Sequence, residues 1–474
     1  MTNFLTFPDQ FLWGAAASAP QTEGAADVQG KAPTIFDTWY RNRPDDFYDQ
    51  VGPDQASDVY AQYRQDIKLM AQTGLNSYRT SISWARLLPD GQHLNPHAVD
   101  FYNDLIDTML AHGIEPIMNL FHYDMPQLMQ DRGGFLAPDV LDDFVFYATT
   151  AFRLFGNRVK RWSTFNEPKA QPYGGYLSTG VPDGYPPFRH NAQEAAQVMY
   201  HIALLTARCV ATFRSIIPDG QIGLIEDSVP QLPADQSPEN VHAAHLTDAL
   251  RNRVLLDPAV LGRFNPTVVA FVHDNGLTPT TRPEDLACIA QNTVDYVGLT
   301  YYRPDRIKAP TRALASAATP RDIDFSYISQ VFQPNNVRMN TSRGWEIRPE
   351  SVYEIGIEMR DQYHNIPWFL AENGMGIAGE ADDIGPDGRI HDQYRIDFLQ
   401  EHLSFLHDAI QAGSNCFGYH VWTFVDCWSW RNAYKNRYGL FGLNRADHFR
   451  RIPKDSGNWY RQVIDRNGIA DARS

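Results

Sequence analysis

Short apolar stretches rich in β-branched and aromatic residues recur along the chain, separated by longer segments of helical period. The stretches are FLWGAAA from Phe11, NSYRTSI from Asn76, EPIMNLF from Glu115, VKRWSTF from Val159, QIGLIE from Gln221, VDYVGLTYY from Val294, PWFLAE from Pro367 and CFGYHVWTF from Cys416. Each is six to nine residues long, the length of a strand. Between them, DVYAQYRQDIKLMAQTG repeats its apolar positions at helical spacing and closes on Gly74. Alternating strands and helices predict a parallel sheet, and about eight repeats in 474 residues predict a (β/α)8 barrel before an open doubly wound sheet. Gly and Pro are spread along the chain, with no linker, repeat or low-complexity tail, so residues 1–474 are expected to form a single domain.

Composition narrows the function classes. A formal net charge of −15 argues against a nucleic-acid-binding or polybasic membrane-binding surface. An anionic ligand would need a local basic spot. The opening MTNFLTFPDQFLWG lacks a basic region followed by an apolar run and a small-residue cleavage site, and no apolar segment reaches membrane-spanning length, so a cytoplasmic protein is expected. Cys209, Cys288, Cys416 and Cys427 lack paired spacing, which fits reduced thiols better than a disulfide framework or zinc site. Oligomeric state is not encoded in such patterns, and a homo-oligomer stays open.

A (β/α)8 barrel carries its chemistry at the C-terminal ends of its strands. The polar residues there are Gln21 after the first strand, Arg79 in the second, His122 at the third, Asn166 and Glu167 at the fourth, Tyr302 at the sixth, Glu372 at the seventh and Trp422 in the eighth. TFNEP and AENG each put a glutamate directly after an apolar strand. Glycoside cleavage needs one carboxyl to protonate the leaving oxygen and a second to attack or to activate water, and strands across one barrel can supply both.

In this order the motifs resemble those of glycoside hydrolase family 1: FLWG, YRTSISWARLLPDG from Tyr78, TFNEP, GWEIRPE from Gly344, AENG and VWTFVDCWSW from Val421. The resemblance implies a retaining double displacement on a small-molecule β-glycoside, with Glu372 as nucleophile and Glu167 as acid/base. It implies that Arg79 and Tyr302 hold the nucleophile ionised, Asn166 binds the hydroxyl beside the reacting carbon, Gln21 and His122 hold hydroxyls across the ring, and Trp422 forms an apolar platform. Trp345 falls among the substrate-binding positions. No metal or redox cofactor is implied, because two carboxylates suffice.

One stretch departs from the pattern of enzymes that act on plain glucosides. In those the segment after the eighth strand carries a glutamate before a tryptophan; here, in DCWSWRNAYKNRYG, Ser429 stands in its place. A carboxylate would repel a sugar 6-phosphate, whereas a hydroxyl can donate to it. Relatives acting on 6-phosphorylated glycosides carry this serine with a lysine and a tyrosine in a loop resembling SxxxxxxKxY. Ser429 and Tyr438 match; Asn436 occupies the lysine register and Lys435 precedes it by one. Ser429, Lys435 and Tyr438 are therefore the expected phosphate ligands, and FHYDMP around His122 leans the same way. Trp430 resembles the 6-phospho-β-galactosidase variant, so gluco and galacto configurations both stay open, as do an unphosphorylated substrate and a sugar-binding protein without catalysis. Thr300, Pro20 and Cys427 replace the usual asparagine, tyrosine and asparagine. GMGIAG from Gly374 leads into an acidic, Gly- and Pro-broken segment, so it offers no helix N-terminus to a dinucleotide. HAAH from His242 lacks a third metal ligand nearby.

Overall fold

The computed structural model describes residues 4–177 and 184–473. Eight parallel strands close into a barrel: β1 (Leu12–Ala16), β2 (Ser77–Ser81), β3 (Glu115–Phe121), β4 (Arg161–Asn166), β5 (Gln221–Asp227), β6 (Tyr296–Thr300), β7 (Trp368–Asn373) and β8 (Cys416–Trp422). Each pairs with the next, and β8 returns to β1 in the register Gly418 to Leu12 through Trp422 to Ala16. This is the expected (β/α)8 barrel, and each of the eight sequence stretches contributes one strand.

Helices surround it. The segment anticipated to end on Gly74 forms the helix Val59–Thr73, and Gly74 closes it with φ 86°, a left-handed value that glycine adopts without a Cβ clash. Pro96 and Pro138 open two further helices, Pro96–Ala111 and Pro138–Phe155, where a missing N–H costs nothing. Inside the barrel Ile117, Ile225, Tyr296, Phe369 and Ala371 pack together, so the interior is a filled core and the chemistry is confined to the rim. Gly14 makes room for that filling: a Cβ there would lie 2.3 Å from Nε2 of His420, whose ring is held by the Ser77 hydroxyl at 2.9 Å.

The rim is built from long connections. Short strands Ile377–Ala378 and Asn436–Arg437 pair antiparallel and join the loop after β7 to the loop after β8. A hairpin, Met339–Asn340 with Trp345–Glu346, rises from the connection after β6. Beneath these loops lies a fully buried ionic network. Lys454 binds Glu380 and, at 3.0 Å, Asp426; Arg395 binds Asp392 and, at 2.7 Å, Glu380. Arg395 also donates to the carbonyls of Met375 at 3.2 Å and Arg437 at 3.0 Å, and Asp426 accepts from the Gly439 N–H at 2.8 Å. Burial pushes the Glu380 carboxyl up, but Lys454 and Arg395 outweigh it and hold the group below the ordinary range.

Removing one member of such a network strands its partners in a low dielectric. Lys454→Met is expected to destabilise the fold by about 3 to 5 kcal/mol in denaturant or calorimetric unfolding. A loss under about 1 kcal/mol would mean that the floor does not depend on this network.

Candidate active site

Arg79, on β2, is the centre of the rim. Its guanidinium is fully buried, forms an ion pair with Oε1 of Glu372, and donates to Oδ1 of Asn166 at 2.9 Å. Tyr302 donates its hydroxyl to the other Glu372 oxygen at 2.7 Å. The backbone after the glutamate is fixed as well: Asn373 donates to the Tyr301 carbonyl and accepts from the Tyr419 hydroxyl, both at 2.7 Å. Burial pushes the Glu372 carboxyl above its ordinary value, and Arg79 and Tyr302 oppose that push without cancelling it.

Glu167, just beyond β4, is held differently. Thr300 donates to Oε1 at 2.6 Å and Tyr123 donates to Oε2, and neither carries a positive charge. Desolvation raises its carboxyl, the charges of Glu372 and Asp227 raise it further, and it reaches about 8 despite the two hydroxyl donors. Two carboxyls in one cleft, both raised by burial and by Asp227, thus differ in their partners: one is tied to a cation, the other has only neutral donors. That division gives Glu372, and not Glu167, a cation beside its charged form. Glu167 and Tyr123 have φ values of 44° and 67°, left-handed conformations costing on the order of 1 to 3 kcal/mol for non-glycine residues and common at active sites.

The remaining rim residues gather around this pair. His122 lies 3.3 Å from the Asn166 amide and stacks on Trp422 with ring centroids 6.2 Å apart. Burial, with Arg79 nearby, keeps its imidazole neutral by pushing its pKa well below the usual value, and its Nδ1 has no partner among the described residues. Gln21 donates to the Trp428 carbonyl at 3.0 Å and accepts from Ser18 at 2.9 Å. Trp422 packs with Ala16, Cys427, Tyr438 and Tyr302, and Trp345 faces Tyr302 with centroids 5.7 Å apart. Trp430 meets His122, Tyr123 and Phe36 at 6.1, 5.1 and 4.6 Å. Ser429, buried between Trp428 and Trp430, lies in the same loop.

Lys435 is the exception among the expected phosphate ligands. Asn436 and Arg437 form a strand, and extended chain sends successive side chains to opposite faces. Asn436 and Tyr438 are buried, whereas Lys435 is exposed, its ammonium 5.5 Å from the Tyr48 ring in a surface cavity shared with Arg437 and Arg445. The one-residue offset therefore turns the lysine out of the loop's inner face.

Sequence reading missed Tyr123 and the direct contact of Thr300 with Glu167. Tyr123 lies inside the FHYDMP motif, and Thr300 stood out as a departure, so both carried a signal without a role. Among the described residues no cluster of three or more metal-ligating side chains occurs, and no helix is long and apolar enough to cross a membrane.

A (β/α)8 barrel with two buried glutamates at its C-terminal rim, one of them paired with a cation, has the parts of a glycoside-cleaving enzyme. Residues 4–469 match the model for Glycosyl hydrolase family 1, and the chain belongs to that family. It is 45% identical to the 6-phospho-beta-glucosidase GmuD of Bacillus subtilis (strain 168), over 98% of each chain. It is 33% identical to Beta-glucosidase A of Thermotoga maritima, over 99% of this chain and 100% of that one. The solved structure of a family 1 β-glucosidase from Thermotoga maritima superimposes with a TM-score of 0.89 at 31% identity, covering 99% and 100% of the two chains.

The coupling between the carboxyls is open to titration. In Glu372→Gln the Glu372 charge is gone, so the Glu167 pKa is expected to fall from about 8 while desolvation keeps it above that of a free carboxyl. Carbon-13 NMR of labelled glutamate reads the shift directly. An unmoved Glu167 would separate the two groups electrostatically.

Proposed function

We propose that the protein hydrolyses β-glycosides with retention, as a single barrel domain spanning residues 1–474, and that its preferred substrates are 6-phospho-β-glucosides. Glu372, kept anionic by Arg79 and Tyr302, attacks the anomeric carbon while Glu167 gives its proton to the departing glycosidic oxygen. The C–O bond to the leaving group breaks as the glycosyl–Glu372 ester forms. Ester formation neutralises Glu372, which removes one cause of the raised Glu167 pKa. Glu167 is then suited to take a proton from water as that water displaces Glu372 and releases the sugar. Asn166, Gln21 and His122 meet the sugar hydroxyls, with Trp422, Trp430 and Trp345 as apolar surfaces around the ring and aglycone.

The observation that carries the phosphate reading is the polarity of the loop after β8. Ser429 replaces a carboxylate with a hydroxyl, and Tyr438, a buried side chain, makes no hydrogen bond through its hydroxyl to any described residue. Burial lifts the Tyr438 phenol to about 12, so it stays a donor over the working range. The 45% identity to GmuD supports the same substrate class. A 6-phosphorylated glycoside is an intracellular metabolite, which is the ground for a cytoplasmic location. Trp430, packed against His122, favours 6-phospho-β-galactosides as the second reading.

The test compares kcat/KM for nitrophenyl β-glucoside, its 6-phosphate and the matching galactosides. The 6-phosphoglucoside is expected to lead its parent by at least about 10-fold, the worth of one charge-assisted hydrogen bond. Preference for the unphosphorylated glucoside would sink the phosphate reading. Glu372→Gln is expected to lose turnover yet still bind the substrate in calorimetry; retained turnover would overturn the mechanism.

A further inference from the structure

Lys435 faces away, yet a phosphate dianion buried among Ser429, Tyr438 and Trp422 would need a cation. Another segment of the chain supplies one. Building on the phosphate reading above, we propose that Arg343 holds the sugar 6-phosphate in place of the displaced lysine. Arg343 lies in the hairpin after β6, two residues before Trp345, and donates through Nη1 to Oδ1 of Asn436 at 3.3 Å. Asn436 is the position where the SxxxxxxKxY pattern has its lysine. The guanidinium therefore reaches the register that the lysine vacated.

Three further observations bear on it. First, Arg343 has no carboxylate within ion-pair distance among the described residues, and its buried Nε has no hydrogen-bond partner. Second, Tyr302 packs against both Tyr438 and Trp345, with centroids 6.4 and 5.7 Å away, and among the charged groups Arg343 acts most strongly on the Tyr438 phenol. Arg303, whose own pKa is pushed down to about 10 first by burial and then by Arg251 and Arg343, registers the same unneutralised charge. Third, the hairpin is anchored to the loop that carries Tyr438. Asn340 donates to the Gly376 carbonyl at 3.1 Å, the Ala378 N–H donates to Ser342 at 3.1 Å, and Asn436 donates to the Ser342 carbonyl at 3.3 Å. The Arg343 guanidinium also lies over Trp345, its carbon 4.1 Å from the ring centroid. That contact leaves the planar N–H edge available for bidentate contact with a phosphate.

The experiment measures kcat/KM for nitrophenyl β-glucoside 6-phosphate and its unphosphorylated parent in wild type, Arg343→Gln, Lys435→Ala and Arg343→Gln combined with Asn436→Lys. Arg343→Gln is expected to cut turnover of the phosphorylated substrate by about 10- to 100-fold, mostly through KM, and to change the parent far less. Lys435→Ala is expected to leave the ratio of the two substrates within about two-fold of wild type. Adding Asn436→Lys, which restores a cation in register, is expected to recover part of the loss. If Arg343→Gln is not recovered folded, Arg343→Met, which keeps an unbranched side chain, carries the comparison. A wild-type enzyme without preference for the phosphate overturns the substrate reading and this proposal with it. A wild-type preference that survives loss of Arg343, or that collapses in Lys435→Ala, overturns the assignment of Arg343 alone.

Discussion

A guanidinium with no exposure to water is the constraint around which this protein is arranged. An ion the size of Arg79 loses several kcal/mol of hydration on burial, even after relaxation, and survives there only with partners of good geometry. Glu372 from β7 supplies the charge, Asn166 from β4 an acceptor, and Trp422 from β8 a ring 5.9 Å from the guanidinium carbon. Four strands must hold register for the ion pair, hydrogen bond and ring contact of this one side chain. The same arrangement sets a cation beside one glutamate and only neutral hydroxyls beside its neighbour. The difference between the two carboxyls follows from where a single buried charge was placed.

Much of the barrel was legible in the chain because its signals are local. Each strand is a short apolar run with turn residues after it, and the helix ending on Gly74 carried both its period and its stop. The two glutamates were legible for a related reason: strand ends are the one place on a barrel where an acidic residue after an apolar run has a chemical use. What stayed hidden depends on contacts between distant segments. Tyr123 reaches Glu167 through a left-handed backbone that no pattern announces. The fate of Lys435 turned on whether its neighbours were loop or strand, and a two-residue pairing with Ile377–Ala378 decided it. Arg343 lay beside a recognised motif, but nothing in the sequence tied it to Asn436, 93 residues on.

The rim combines mobility of sequence with rigidity of place. Its loops are irregular and long, which would ordinarily blur the position of a binding group. Here the buried network of Glu380, Arg395, Asp392, Lys454 and Asp426 fastens the connections after β7 and β8 from below, and the hairpin after β6 is fastened to them from the side. Charge pairs in a dry interior are not efficient stabilisers compared with well-packed apolar groups. They are directional, and direction is what a set of donors around a small sugar requires.

The pairing of β8 with β1 has a consequence for the life of the chain before it is an enzyme. Residues 12–16 leave the ribosome first among the barrel strands and wait for residues 416–422 to complete their edge. Arg79 waits almost as long, because its counter-charge lies 293 residues downstream. Until then the nascent polypeptide exposes an unpaired strand edge and a cation without its counter-charge, and pairings of such long sequence separation are slow to form and open to association with other chains.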